Sequence, residues 1–464
     1  MKFLKSPEKI LLILIVTLFL SSRLYKITEI PSSVYWDEAS IGYNAYSIAR
    51  TGKDEWGDFL PIHFRAFGEF KLPVYIYSVV PFVKVFGLNE FSVRIPSVLF
   101  SLGVVILTYF LAKRLTGNTT IGLWSSFFVT ISPWFFIFSR TGFEATAGLM
   151  FYLLGILFFL QKKDEKSILF SIISFIFSAY SYNSFRIVSP LTFFILIFLE
   201  RDSISHVLKN SIHWIVISIA VIILAIWPIY RLYVYDAGFS RLQNVGGAQG
   251  INLVRNYVAH FSPHFLFIQG DNNLRHQQKD FGQLYPTEFI LIVLGLIYIF
   301  KTKTKHKWLP IILILLAPIP ASIIKESPHA LRSLSVVPFI YIVSAMGVIY
   351  LVELLKQRTV IYLGVTIIFL FFFINYFLNF LYIYPTQSLN SWQYGYKKIF
   401  TGVDLNDRES LVISDKDAQP YIFALFYLIY DPQKFRDEVV RNTVDKWGFS
   451  TVKQFGRFEF GEEK

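Results

Sequence analysis

The stretch that decides the fold is Val360-Ile361-Tyr362-Leu363-Gly364-Val365-Thr366-Ile367-Ile368-Phe369-Leu370-Phe371-Phe372-Phe373-Ile374-Asn375-Tyr376-Phe377-Leu378-Asn379-Phe380-Leu381-Tyr382, in which no Asp, Glu, Lys or Arg occurs. As a helix rising about 1.5 Å per residue it exceeds the roughly 30 Å hydrocarbon thickness of a bilayer. Working outward, comparable apolar runs fall at 8–27, 91–113, 120–139, 144–161, 167–182, 184–200, 211–230, 286–300, 308–324 and 333–353. The expected fold class is therefore an all-α polytopic membrane protein with about 11 transmembrane helices. The first run starts after Met1-Lys2 and lacks a small-x-small cleavage site, so it reads as a retained anchor.

Composition agrees. Of 464 residues 54% are hydrophobic and 16% charged, which excludes a disordered chain and an ordinary soluble enzyme. Cysteine is absent, so a disulfide scaffold, a thiolate nucleophile and a cysteine zinc site are excluded too. The 49 Phe, 27 Tyr and 9 Trp suit rings packed in lipid and anchored at its interfaces. The net charge of +12 reads as topology and membrane-lipid contact, with no nucleic acid implied.

An odd number of spans demands alternating loop charge. If the N-terminus is cytoplasmic, segments 1–9, 113–119, 161–167, 200–210, 301–307 and 355–359 face the cytoplasm; they hold 16 Lys/Arg in 46 residues. The long segments opposite, 23–90 and 231–287, hold 12 in 125. The bias follows the positive-inside rule and puts residues 383–464 outside with both long loops. The expected organisation is a transmembrane domain over 1–384, with outer loops 28–90 and 231–287, and a small extracytoplasmic α/β domain over 385–464. In that last region Leu411-Val412-Ile413-Ser414 reads as a buried strand, and Asp417 as the cap of a helix through Tyr427. The expected location is the plasma (inner) membrane. Span centres carry almost no ionisable groups and no matched halves with broken helices, which argues against a transporter or flippase.

Polar chemistry concentrates on the outer side. In Ser33-Val34-Tyr35-Trp36-Asp37-Glu38-Ala39, followed by Ile41, Ala45, Ile48 and Ala49 at helical spacing, a short amphipathic helix is expected along the membrane surface, capped by Ser33 or Asp37. Asp37 and Glu38 at its N-terminus suit a general base or a metal ligand; a cap and a solvated neighbour is the plainer reading. Glu69-Phe70-Lys71-Leu72-Pro73 precedes a second surface-lying or re-entrant helix to Val85. Lys71 there can meet a lipid phosphate or merely snorkel. Arg140 and Glu144, Arg186, and His329 and Arg332 sit in short outer turns, where arginine forks suit a phosphate oxyanion or simple interfacial anchoring. His63 reads as a lone surface histidine near Glu69, and His260, His264 and His276 have no regular spacing. Gly246-Gly247-Ala248-Gln249-Gly250 lacks a following Lys-Ser/Thr and is no phosphate cradle. The loop containing it is expected to act as a partly mobile lid over an acceptor site.

These motifs together resemble the glycosyltransferases of GT-C fold that use a lipid-phosphate sugar, most closely the protein O-mannosyltransferase and aminoarabinose transferase superfamily. The resemblance rests on Trp36-Asp37-Glu38 with Tyr43, Ala49 and Arg50. It rests also on Glu69-Phe70-Lys71-Leu72-Pro73-Val74-Tyr75 leading to Phe86-Gly87 and Arg94-Ile95-Pro96-Ser97, and on Ser139-Arg140 with Glu144. Where the family has two prolines this chain has Leu72-Pro73, which leaves the start of the second surface helix open. The resemblance implies an inverting transfer of a sugar from a polyprenyl-phosphate (dolichyl-phosphate-type) donor to a hydroxyl of a glycolipid, polysaccharide or protein acceptor on the outer face. It implies Asp37 as base, with Glu38 and Glu144 as further catalytic acids. Lys71, Arg140, His329 and Arg332 would bind the donor phosphate, and Glu69 would assist the acceptor or a metal. A divalent metal ion is an optional cofactor, bound by some relatives and not by others. A lipid-linked glycan ligase or polymerase is the competing enzyme class.

Overall fold

The computed structural model describes residues 7–161, 164–202, 204, 212–234, 250–402, 410–416, 418–444 and 449–461. Met1-Lys2, the glycine run Gly246 to Gln249, the Asp417 cap and parts of segments 1–9, 161–167 and 200–210, expected to face the cytoplasm, lie outside these residues.

The helices in chain order are α1 (Pro7–Leu24), α2 (Trp36–Thr51), α3 (Pro73–Phe86), α4 (Glu90–Thr116), α5 (Thr119–Ile131), α6 (Ala145–Gln161), α7 (Glu165–Ala179), α8 (Phe185–Leu199), α9 (Ile212–Val234), α10 (Glu288–Lys301), α11 (Val336–Leu355), α12 (Arg358–Tyr382) and α13 (Pro420–Tyr427), with shorter turns between them. Helix occurs in each of the 11 apolar intervals, yet among the described residues only α4, α9, α11 and α12 are long and apolar enough to cross a bilayer alone. The others are shorter, charged near an end or interrupted. Ser132-Pro133 splits the interval 120–139, because proline breaks the hydrogen-bond ladder, and Pro318 splits 308–324. Along α9, Val216, Ile223, Leu224 and Trp227 are exposed, a face suited to lipid rather than water. Helices α10 and α11 approach through Gly295 and Gly347, where an added Cβ would overlap the facing backbone carbonyls of Val343 and Leu291.

Two apolar cores divide the molecule. One gathers the long helices around Phe128, Tyr152, Tyr285, Phe339 and Phe369. The other combines α2, α3 and the start of α4 with Phe400 and residues 413–460, through Ile41, Tyr75, Val79, Val93, Phe423, Phe426, Phe455 and Phe458. The C-terminal region therefore closes no separate core: it is one layer with the first outer loop. Helix α13 is buried from Pro420 to Phe426 and packs on α2. This corrects the amphipathic reading of α2. Ten of its 16 residues are buried, because the face expected to meet lipid or water is covered by protein.

The C-terminal sheet has four strands: β3 (Leu411–Ile413), β4 (Val440–Arg441), β5 (Val452–Phe455) and β6 (Phe458–Phe460), in the order β3-β6-β5-β4. β3 runs parallel to β6 and the other pairs are antiparallel. As an edge strand β3 leaves Val412 46% exposed, so only part of it is buried as expected. The remaining strands, β1 (Phe64–Ala66) and β2 (Glu69–Lys71), form a hairpin that pairs Phe64 with Lys71 and turns at Phe67-Gly68. Gly68 has φ 78°, a conformation glycine adopts without a Cβ clash. The second surface helix starts at Pro73, with Leu72 as its extended N-cap residue.

Candidate active site

Asp37 and Glu38 are adjacent in the first turn of α2, yet their surroundings differ completely. Glu38 is 3% exposed. Arg94 at the start of α4 donates to both its oxygens, at 3.1 and 3.3 Å, and the Gly142 amide donates to Oε1 at 2.6 Å. The Tyr35 amide donates to Oε2 at 3.3 Å, so Glu38, rather than Ser33 or Asp37, reaches back to close the helix start. With its oxygens taken by buried donors, Glu38 holds structure and is not presented to a substrate, which corrects its expected place among the catalytic acids.

Asp37 faces the other way, with a side chain 36% exposed at a cleft of about 270 Å³. Lys71 Nζ donates to Asp37 Oδ1 at 2.5 Å and lies 3.7 Å from Glu69 Oε1. The Lys71 side chain is only 3% exposed and does not line the cleft. Burial works against its charge, but Asp37, Glu69 and Glu144 outweigh that and hold the ammonium above the ordinary lysine range. Lys71 is thus a fixed counter-ion behind Asp37 and Glu69, not an exposed phosphate ligand. Glu144, just before α6, contributes to this field and does not line the cleft; Glu69 does line it.

Arg140 departs furthest from expectation. It is fully buried, and its guanidinium donates to the carbonyls of Ser22, Tyr25 and Ile30 while stacking 4.5 Å from the Phe380 ring centroid. Arg94 likewise donates to the carbonyls of Ile27, Pro31 and Ser33. Together the two arginines bind six carbonyls, that of Ser22 in the last turn of α1 and five in the connector between α1 and α2, where the backbone has few regular partners of its own. Arg140 is a structural cation and not a donor-phosphate residue. Arg186 sits apart, 3.5 Å from His63 Nε2. Burial and that arginine lower the His63 pKa to about 4, so His63 is neutral.

The cations that do line the cleft come from later in the chain. Arg332 faces it, as expected, beside His329. The spacing rules missed Arg275, which lies flat over Tyr35 with its guanidinium carbon 3.6 Å from the ring centroid. Burial lowers its pKa to about 10 against the opposing fields of Glu326 and Tyr384, so it stays charged at neutral pH. Asn273, His276 and Glu326 complete the polar wall, while Trp36, Phe67, Phe143 and Tyr182 supply aromatic rings. Asn273, Arg275 and His276 thus bring the later part of the segment 231–287 to the cleft.

His276 and His329 are buried, with ring centroids 4.7 Å apart, and His276 Nδ1 lies 2.9 Å from Asp271 Oδ2. Asp271 Oδ2 also accepts from the Ala330 amide at 2.8 Å, and His260 Nε2 accepts from the His329 amide at 3.1 Å. Burial opposes the Asp271 charge, yet His276, His329 and the amide hold it well below the usual carboxylate range. Burial, His276 and Arg332 push His329 well below the usual histidine value, leaving a neutral imidazole. Asp271, His276 and His329 are the group among the described residues that could hold a metal, with ligand atoms within 4.8 Å of one another. Two imidazoles and a carboxylate suit a zinc-class ion. Fit in kind is good, provided His276 offers Nε2 while Nδ1 stays with Asp271.

Comparisons with known proteins follow the geometry. Residues 71–230 match the model of the dolichyl-phosphate-mannose-protein mannosyltransferase family. Among curated proteins none matches. ArnT from Cupriavidus metallidurans in the apo state superposes with a TM-score of 0.58 at 12% identity, covering 89% of this chain and 84% of that one. The same protein bound to undecaprenyl phosphate gives 0.57 at 11% identity, covering 91% and 84%. The oligosaccharyltransferase of Archaeoglobus fulgidus in the apo form gives 0.54 at 11% identity, covering 92% of this chain and 64% of that one. The fold is GT-C, and the chain resembles the lipid-phosphate-sugar transferase superfamily.

Proposed function

We propose that this chain is an integral-membrane glycosyltransferase that moves a sugar from a polyprenyl phosphate to an acceptor hydroxyl. The family match and the GT-C likeness support a membrane glycosyltransferase. The observation that carries it is the Asp37–Lys71 pair on one side of a cleft whose other wall holds Arg275, Arg332, His276 and His329.

A hydroxyl attacking an anomeric carbon must lose its proton, and of the cleft carboxylates Asp37, with one oxygen held by Lys71, is the one assigned to take it. The transition state carries oxocarbenium-like positive charge, which Asp37 and Glu69 stabilise. Negative charge grows on the departing lipid phosphate, where the fixed forks of Arg275 and Arg332 stabilise it more than in the ground state. Lys71 fixes one oxygen of Asp37, and Glu38 with Arg94 fixes the helix turn that carries it. A lipid tail needs an apolar channel; the groove of about 400 Å³ lined by Ile62, Ile176, Phe177, Tyr180, Leu224 and Pro228 suits it, with Tyr182 of the cleft two residues beyond Tyr180. Undecaprenyl phosphate on the ArnT neighbour is consistent with such a donor. A divalent ion, when bound, would be held by Asp271, His276 and His329 and would supply positive charge beside the leaving phosphate.

The reading places the cleft and the C-terminal layer outside the plasma membrane, following loop charge. The likeness to an oligosaccharyltransferase favours one second reading, transfer of a lipid-linked oligosaccharide. Purified protein in lipid nanodiscs, given labelled polyprenyl-phosphate sugars and cell-envelope acceptors, should release free polyprenyl phosphate with label moved to an acceptor. Loss of that release in Asp37→Asn supports the reading; full turnover in that variant, or release only from pyrophosphate-linked oligosaccharides, overturns it.

A further inference from the structure

Both walls of the reactive cleft are bonded to the segment that follows α12. Gln393 Oε1 accepts from the Trp36 amide at 3.1 Å. Trp36 opens α2, and its amide is one of the first-turn groups that a helix cannot pair with itself. The Tyr384 hydroxyl donates to the Leu274 carbonyl at 2.6 Å. Leu274 stands between Asn273 and Arg275, which line the cleft on the other wall. The two anchors are themselves joined, because Trp392 Nε1 donates to the Tyr384 hydroxyl oxygen at 2.7 Å and Gln393 is the next residue. Chemistry fixes the direction of each bond. An indole N–H only donates and a carbonyl only accepts, so the hydroxyl between them accepts from Trp392 and donates to Leu274.

We propose that Tyr384 and Gln393 are positioning residues, the two feet of a buried strut that fixes the separation between the wall carrying Asp37 and the wall carrying Arg275. It rests on the reading of the chain as a glycosyltransferase. Transfer needs the base at the acceptor hydroxyl and the cations at the departing phosphate at the same moment, and a misplacement of about 1 Å can cost roughly a hundredfold in rate. The strut is built to resist such a change. Tyr384 and Trp392 are both buried. The Tyr384 ring stacks on Phe380 near the end of α12 with centroids 5.1 Å apart, and the Trp392 amide donates to the Ser388 carbonyl at 3.0 Å. Gln393 has φ 54°, a left-handed conformation that a residue with a Cβ adopts only where its surroundings hold it. Its amide donates to the Asn390 carbonyl at 3.0 Å, and its carbonyl accepts from the Tyr396 amide at 3.1 Å.

The strut also frees the reactive carboxylate. Aspartate is a residue type that caps helices, yet at the start of α2 the Tyr35 amide goes to Glu38 and the Trp36 amide to Gln393, while Asp37 bonds Lys71 and faces the cleft. Between the two feet, Trp392 sits against Phe143 of the cleft lining, with ring centroids 6.5 Å apart, and under Arg94, whose guanidinium carbon lies 6.0 Å from its ring centroid. Breaking the strut removes neither Arg275 nor Arg332, so a phosphate resting on that wall moves with it and stays bound. What is lost is the alignment of both walls at once in the transition state. The signature is a fall in kcat with phosphate affinity retained.

The chain contains no cysteine, so two introduced cysteines carry spin labels at chosen places. Lys53→Cys, two residues beyond α2, and Asn272→Cys, two residues before Leu274, are both exposed and report the separation of the walls by pulsed electron–electron double resonance on the full chain in nanodiscs. The parent should give one narrow distance distribution, which broadens or shifts in Tyr384→Phe and in Gln393→Leu. In the same two variants kcat with a polyprenyl-phosphate sugar should fall at least about tenfold, while affinity for undecaprenyl phosphate stays within about threefold. The double variant should be no slower than the worse single one, because both cut one strut, whereas two unrelated structural defects would multiply. Gln393→Glu keeps an acceptor for the Trp36 amide at a helix N-terminus and should retain parental turnover. Unchanged distances in both single variants, multiplied losses in the double one, an equal loss of undecaprenyl phosphate affinity, or Gln393→Glu as impaired as Gln393→Leu overturns the strut. Distances that respond as stated in a parent chain that releases no polyprenyl phosphate uphold the strut and strike the transferase reading alone.

Discussion

Asp37 and Glu38 are adjacent carboxylates, and the structure demands opposite outcomes from neutralising them. In Glu38→Gln the fully buried Arg94 keeps three carbonyl partners but loses its ion-pair partner, and the new amide sets a donor against the Arg94 fork or the Gly142 amide. Breaking one side of a buried pair costs about 3–5 kcal/mol, a large share of a typical stability of about 5–15 kcal/mol. In a chain of this size that is a fall in unfolding midpoint of roughly 3–10 °C. Asp37→Asn, at a side chain 36% exposed whose buried partner Lys71 keeps Glu69 at 3.7 Å, should lower the midpoint by clearly less than Glu38→Gln does while abolishing transfer. Thermal unfolding in detergent and donor turnover, measured on the same preparations, separate the two. Replacing both partners, Glu38→Leu with Arg94→Met, should recover only part of the loss, since Arg94 also serves three carbonyls. A Glu38→Gln protein as stable as the parent and as inactive as Asp37→Asn would refute the assignment of Glu38 to the scaffold.

Other consequences can be checked separately. Lys71→Met should lower turnover at least tenfold with donor affinity nearly unchanged, whereas Arg275→Ala and Arg332→Ala should weaken donor binding; titration of labelled polyprenyl-phosphate sugar tells these apart, and equal effects would count against the split. Burial raises Glu55, against the fields of Arg441 and Tyr421 and with that of Asp54, from an ordinary 4.5 to about 7. Because its folded value lies above its unfolded one, its contribution is complete below pH 4.5 and is lost as pH rises through 7. The span corresponds to about 3 kcal/mol, so stability should fall between pH 5 and 8, and Glu55→Gln should flatten that slope in thermal scans. Cobalt(II) added to the full chain should give a tetrahedral d–d absorption that His276→Ala or His329→Ala removes; a spectrum identical to aqueous cobalt would dismiss the metal group.

Much of this arrangement is visible in the chain because it follows local periodicity. Apolar runs between lysine-rich turns become helices, and Asp37 stands in the first turn of a helix, since hydropathy and capping act over a few residues. What periodicity cannot carry is direction. Arg94 stands near the start of α4 and Arg140 in the turn before α6, where a phosphate ligand and an anchor for carbonyls read identically. Only the path of residues 22–33 beneath them decides it, by offering six carbonyls with few regular partners. Glu38 and Lys71 deceive for the same reason, being charged in the sequence and nearly inaccessible in the fold. Asp271 and His276 lie more than fifty residues from His329, so their meeting depends on tertiary packing and leaves no spacing to find.

The same contrast explains how a wet cleft can be held rigid beside a bilayer. A catalytic carboxylate needs an exact position and an exposed face, yet the loop that carries Asp37 has few backbone partners of its own. The chain resolves this by dividing the ions. Arg94, Arg140 and Glu38 are buried and hydrogen-bonded, and they fix the backbone; Asp37, Arg275 and Arg332 stand at the cleft. Lys71 belongs to both sets, inaccessible itself yet bonded to the exposed carboxylate. It follows that the buried cations set where Asp37 sits while the cleft cations set what it can act upon, so substitutions in the first group should change stability and turnover together, and those in the second should lower donor affinity and turnover while leaving stability unchanged.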